Sequence, residues 1–239
     1  MAEDLGGTLA RVAAMGYQEV EFAGYFGRTS KEIRRILDDL DLQAPSAHVS
    51  ANELIEHSGP VLDSATEAGH VFLVIAYWEP HQRTAAGYHR LLKLLEKVGP
   101  MAKERGLKIA YHNHDFEFEL EAHSGDTHYE RLLSSTDPEC VFFEMDIYWV
   151  AKRLVSPMEL LKQHPGRFPL LHIKDRDDYG EETDVGRGNI GIPSILQAAI
   201  NQGVEHCFIE RDNPSDPLSS AQWGLDWLNQ NLPCANSRT

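Results

Sequence analysis

The sequence predicts a (β/α)8 barrel that lacks its first strand. Two observations carry that prediction: short apolar runs alternate with longer amphipathic segments, and glycines recur at the junctions between them. Seven runs have strand character, at residues 19–23, 44–49, 71–77, 107–112, 140–147, 169–174 and 206–211. Residues 30–40 have helical spacing and open on Ser30 as a cap followed by Glu32; residues 88–105 carry leucines at 91, 92, 94 and 95. Gly16, Gly69, Gly106 and Gly203 each stand between a helix and the next strand, where a left-handed cap is wanted. The first helical segment, residues 5–15, precedes any strand, so seven and a half βα units are present. The opening strand was lost to a late start, or the barrel is open and completed by a partner.

Length and composition fit one globular domain over residues 1–233, followed by a disordered tail at 234–239. With 239 residues, 42% hydrophobic and 25% charged, the chain is long enough for a full core. No apolar run reaches the roughly 18 residues of a membrane span. A net charge of −15, spread along the chain, repels nucleic acid phosphates, so neither nucleic acid nor membrane is an expected partner. Three cysteines, Cys140, Cys207 and Cys234, have neither disulfide nor zinc spacing. A reducing compartment, the cytoplasm, follows.

In such a barrel the active site is built at the C-terminal ends of the strands. Strand alternation sets His112 with His114, Glu144 with Asp146, His172 with Lys174, and Glu210 with Asp212 on the inward parity, while Ile109, Tyr111, Phe143, Met145, Leu171, Ile173 and Ile209 take the other. Inward carboxylates are costly alone, but His112, Asp146, His172 and Glu210 can share one divalent metal, and mixed N/O ligation leaves Mn, Co, Mg and Zn open. A hydrogen-bonded polar layer without metal is the competing arrangement.

The segments EVEFAGYFG, APSAHVS, AYHNHDFEF, FEMDIYWV, PGRFPLLHIKD, VGRGNIG and HCFIERD together resemble the sugar phosphate isomerase/epimerase family of xylose-isomerase-like TIM barrels. The resemblance implies a ligand pattern Glu, Asp, His, Glu on four successive strands. Asp146, His172 and Glu210 match the last three positions, and the first falls on His112. That departure weakens two-carboxylate epimerisation and tilts the reading toward elimination. The resemblance implies that His114 takes the place of the general base in dehydratase-like members. Trp149 stands where a histidine is common.

The function expected is a metal-dependent sugar isomerase or epimerase acting on a small carbohydrate or keto-polyol, without a phosphate, through a metal-stabilised enediolate. His114, Glu210 and Lys174 are its candidate catalytic residues, with Lys174 neutralising an enediolate oxygen or else salt-bridged to Asp146 or Glu144. His48, Trp78, Trp149 and Arg187 are candidate substrate contacts, the glycine-rich VGRGNIG turn offering N–H groups or Arg187 to an anion; Glu144 is a candidate partner of a ligand. A keto-inositol dehydratase or a keto-glycoside β-eliminating lyase would use the same first steps. A barrel of the abasic-site endonuclease type is opposed by charge. A non-enzymatic subunit of a hetero-complex is the third reading, and a homo-oligomer is compatible with all of them.

Overall fold

The computed structural model describes residues 4–121, 125–232 of the chain. Residues 234–239, expected to be a tail, lie outside the described residues. The chain divides into two compact units, the first ending at Glu144 and the second beginning at Met145.

The first unit contains α1 (Leu5–Met15), β1 (Glu19–Phe22), α2 (Ser30–Asp39), β2 (Gln43–Val49), α3 (Ala51–Ala68), β3 (Phe72–Ile75), α4 (Ala85–Lys103), β4 (Lys108–His112) and α5 (His128–Ser135), and it ends within β5 (Val141–Asp146). Its strands pair in chain order and in parallel, with Phe22 opposite Ala47, His48 opposite Val74, Val74 opposite Ala110 and His112 opposite Glu144. Four buried residues in a row, Phe-Leu-Val-Ile, make β3, as a strand covered on both faces requires. Ile33 and Leu37 of α2, one turn apart, are fully buried, as are Leu91, Leu95 and Val98 of α4.

Helix α2 corrects one expectation. Thr29, not Ser30, is its cap: the Thr29 hydroxyl accepts from the Glu32 N–H while the Glu32 carboxylate accepts from the Thr29 N–H. The reciprocal box needs an acid three residues after the cap, and Glu32 stands at that distance only from Thr29. Helix α3 is broken at His57, whose φ of −138° and ψ of 38° are not helical. The cause is Pro60, which has no N–H for the carbonyl of residue 56 and whose ring collides with it.

The second unit contains α6 (Ile147–Lys152), α7 (Pro157–Gln163), β6 (Leu170–Ile173), β7 (Asp175–Arg176), β8 (Glu182–Thr183), α8 (Ile192–Asn201), β9 (His206–Ile209) and α9 (Pro217–Asn231). β6 and β9 pair in parallel, Leu171 opposite Cys207 and Ile173 opposite Ile209. The small antiparallel pair β7–β8 was not expected; two residues per strand are too few for any alternation to register.

All seven expected strands are present to within two residues at either end, and the four expected cap glycines have positive φ, between 73° and 105°. No helix among the described residues is long and apolar enough to cross a membrane. Replacing Thr29 by Ala removes one side of the capping box, and urea denaturation is expected to show a loss of about 1 kcal/mol.

Candidate functional site

In the first unit polar residues of four strands, β1, β2, β4 and β5, meet. His48 at the end of β2 holds Nε2 at 2.9 Å from Glu21 Oε2 and 3.1 Å from Glu144 Oε2. His112 at the end of β4 places Nδ1 at 3.1 Å from the same Glu144 oxygen. His48, His112 and Glu144 offer donor atoms within 4.8 Å of one another. Glu21 also accepts from the Ser46 hydroxyl at 2.5 Å. Burial pulls the His48 imidazolium toward deprotonation, but Glu21 and Glu144 outweigh it and push the pKa up to about 10. His48 is therefore a cation at neutral pH, suited to donate to a hydroxyl and ill suited to ligate a metal.

His114 lies two residues past β4. Its ring stacks on Phe116 with centroids 5.4 Å apart, meets the edge of Tyr77 at 5.1 Å and lies 5.0 Å from the His112 ring. The loop is tied by Glu117, which is buried and accepts from the Tyr111 hydroxyl at 2.6 Å and from the His114 N–H at 2.9 Å. Burial pushes the Glu117 carboxyl up to about 7.

The second unit gathers the other expected ligands. Asp146, His172 and Glu210 offer donor atoms within 4.8 Å of one another, and His172 Nδ1 stands 2.5 Å from Glu210 Oε2. Asp146 caps α6: its Oδ1 accepts from the N–H groups of Tyr148 and Trp149, at 2.9 and 3.1 Å. Lys174 lies among the acids, with Nζ 2.9 Å from Asp212, 3.0 Å from Glu210 and 3.3 Å from Asp146. Burial alone would lower its pKa, yet Asp146, Glu210 and Asp212 reverse that and hold the ammonium well above the ordinary lysine range. The Trp149 ring covers it, with Nζ 5.7 Å from the centroid. Of the two roles open to Lys174 in the sequence, the salt bridge to Asp146 is in place.

Two carboxylates and one imidazole form a mixed N/O donor set that suits a divalent cation of the Mn, Co or Zn kind. Lys174 shares both carboxylates, so a cation entering there meets acids already half neutralised.

One expected substrate contact is corrected. Trp78 is 1% exposed and donates its indole N–H to the Gln82 carbonyl at 3.0 Å, so its ring is core and offers no face for a sugar. Arg187 pairs with Asp184 at 3.3 Å and lies over the Trp223 ring at 4.2 Å. The glycine-rich turn does bind an anion, but the anion is the chain's own Asp175: its carboxylate accepts from the N–H groups of Arg176, Gly186 and Gly188 at 2.9 to 3.0 Å. A Cβ at Gly188 would stand 2.2 Å from that carboxylate, which is why the turn needs glycine there. Glu21, Glu117 and Asp175 were not singled out in the sequence. The alternating acids of EVEF were the available signal for the first; nothing local marks the other two as buried.

The raised His48 pKa has a sign. A histidine whose ordinary value is 6.5 and whose folded value is about 10 contributes stability in full below pH 6.5, and that contribution is lost as pH rises through about 10. Denaturant midpoints measured across that window should fall for the parent protein, whereas His48→Gln should start lower and decline less.

A family model described as a xylose isomerase-like TIM barrel matches residues 9–231. An inosose dehydratase of Clostridium tetani is 24% identical over 192 residues, which cover 71% of this chain and 63% of that protein; the chain spans less than two thirds of the length of this curated relative. The crystal structure of a sugar phosphate isomerase/epimerase from Parabacteroides distasonis superposes with a TM-score of 0.81 at 25% identity, over 97% of this chain and 89% of the other. A xylose isomerase-like TIM barrel protein from Mycobacterium smegmatis, solved in complex with magnesium, is 14% identical with a TM-score of 0.72 over 97% of this chain and 89% of its own, and shares the fold.

Proposed function

Because the chain belongs to the xylose isomerase-like TIM barrel family, we propose that it is a divalent-metal-dependent enzyme that moves a proton next to the carbonyl of a small keto sugar or keto-polyol, as an isomerase or epimerase. The observation that carries this reading is the convergence of Asp146, His172 and Glu210 within 4.8 Å at the ends of successive parallel elements. These three residues would hold the metal. The Mycobacterium smegmatis protein of the same fold was solved in complex with magnesium, which is compatible with this reading. A divalent cation there supplies charge stabilisation to a substrate carbonyl oxygen.

The remaining work falls to side chains. His114, held by its neighbours at the end of the β4 loop, or Glu210 takes the proton from the carbon beside the carbonyl. Lys174 keeps its proton and offers positive charge to the developing enediolate oxygen. Return of the proton to the neighbouring carbon gives isomerisation; return to the opposite face gives epimerisation. Trp149 walls the site beside Lys174, and the His48 imidazolium donates to a substrate hydroxyl.

A second reading, dehydration of a keto-polyol, is supported by the inosose dehydratase similarity and by histidine at 112. It shares the proton abstraction and differs in expelling a β-hydroxyl.

Elemental analysis of the purified protein should find about one equivalent of divalent metal, lost in an Asp146→Ala, His172→Ala variant. Only the metal-loaded parent should exchange the α-proton of a keto sugar or keto-inositol for deuterium, followed by NMR. No metal in either protein after incubation with manganese would overturn the reading. Lys174→Met leaves Asp146, Glu210 and Asp212 without their ammonium; the metal-free variant is expected to lose about 3 kcal/mol in urea denaturation, and manganese should restore part of it.

A further inference from the structure

Within the first unit two hollows adjoin beyond the ends of β1, β2 and β3. One, of about 320 Å3, carries the polar side chains of His48, Ser50, Asn52, Glu53, Glu79 and Gln82 among apolar neighbours that include Val49, Ala51 and Ala76. The other, of about 440 Å3, is somewhat more apolar, with Tyr25, Val49, Pro60, Val61, Ala65 and Leu73 around it beside the polar His57 and Ser64. Gly24, His48, Val49 and Glu53 line both, so the two share one wall. A Cβ at Gly24 would meet nothing within 4 Å, so the space beside that wall is open.

The apolar hollow has a structural origin. The α3 segment along it contains His57 and Pro60, the two residues of the helix break. On its far side the Tyr25 hydroxyl is bonded to His70 Nε2 at 2.9 Å, and His70 Nδ1 to the Ala44 carbonyl at 2.6 Å. Those polar atoms are already paired, which leaves the Tyr25 ring as the contact surface. A dry cavity of about 150 Å3 suffices for benzene, so the hollow accommodates a substituent of one or two aromatic rings. No lysine or arginine lines either hollow, and Glu53 and Glu79 line the polar one, so a phosphate is disfavoured in both.

We propose that the first unit binds an amphiphilic ligand, an aryl glycoside, with its polyhydroxylated ring in the polar hollow and its aromatic aglycone in the apolar hollow against Tyr25, Val61 and Leu73. The assignment of the polar hollow to a sugar rests on the function proposed above; the aglycone pocket rests on its own walls.

The test is calorimetric titration of the full-length, manganese-loaded protein with 4-nitrophenyl β-D-glucoside, methyl β-D-glucoside and free 4-nitrophenol. The aryl glucoside should bind at least about tenfold more tightly than the methyl glucoside. Val61→Trp, which fills the apolar hollow from a half-buried helix position, should abolish that advantage and leave methyl glucoside affinity unchanged. Ser64→Leu, on the next turn, closes the same hollow if the tryptophan does not fold. Equal affinities, an aryl preference that survives both substitutions, or no binding of either nitrophenyl compound would overturn the inference. Deuterium exchange of a simple keto sugar reads the proposed function separately: exchange without aryl preference sinks only the aglycone pocket, and aryl preference without exchange sinks only the isomerase reading.

Discussion

Buried carboxylates without bulk water must be met by protons, cations or N–H dipoles, and the polar architecture of both units follows from that constraint. Glu144 and Asp146 are both fully buried, two residues apart on one strand, and each is answered differently. Glu144 accepts from two imidazoles, His48 and His112. Asp146 divides its oxygens: Oδ1 is spent on the first N–H groups of α6, and Oδ2 turns toward the Lys174 ammonium. Asp175, also buried, takes backbone N–H groups alone. Glu117 accepts from the Tyr111 hydroxyl and from backbone N–H groups, yet burial outweighs these and its pKa climbs to about 7.

These solutions have different chemical consequences. N–H groups fix a carboxylate in place without altering its charge, so Asp175 holds the turn at 186–188 and does nothing else. An ammonium can be exchanged for another cation. Lys174 stands between Asp146 and Glu210, 3.3 and 3.0 Å from their oxygens, and ties the two carboxylates to one cation. The same pairing explains why net acidity gives no information about the site itself: the local charge is set by which acids have cations beside them.

Strand parity made most of this legible in the sequence. The alternation placed Glu144 with Asp146 and His172 with Lys174, and strand bounds and cap glycines followed from the same rhythm. What stayed hidden depended on contacts distant along the chain or on loop geometry. Trp78 reads as a strand-end aromatic, but whether its ring faces a cleft or the core depends on the turn that brings Gln82 to its indole. VGRGNIG reads as an anion turn, correctly, yet the anion lies ten or more residues earlier in the chain. The hollow beside α3 follows a proline whose effect on the helix is readable, while the space it borders is not.

Histidine at 112 is best understood through Glu144. The family resemblance leads one to expect a glutamate at that position, but His112 Nδ1 stands 3.1 Å from an oxygen of Glu144, which also faces His48. A carboxylate at 112 would bring a second acid against Glu144 inside a buried cluster that already contains Glu21, and like charges at such a distance cannot both remain ionised. One imidazolium, His48, would then have three carboxylates to balance. With histidine at 112 the cluster holds two acids and two rings, His48 facing both acids and His112 standing against Glu144. Histidine at 112 is thus tied to Glu144 on the neighbouring strand, and the pair Glu144 and His112 is a single electrostatic unit.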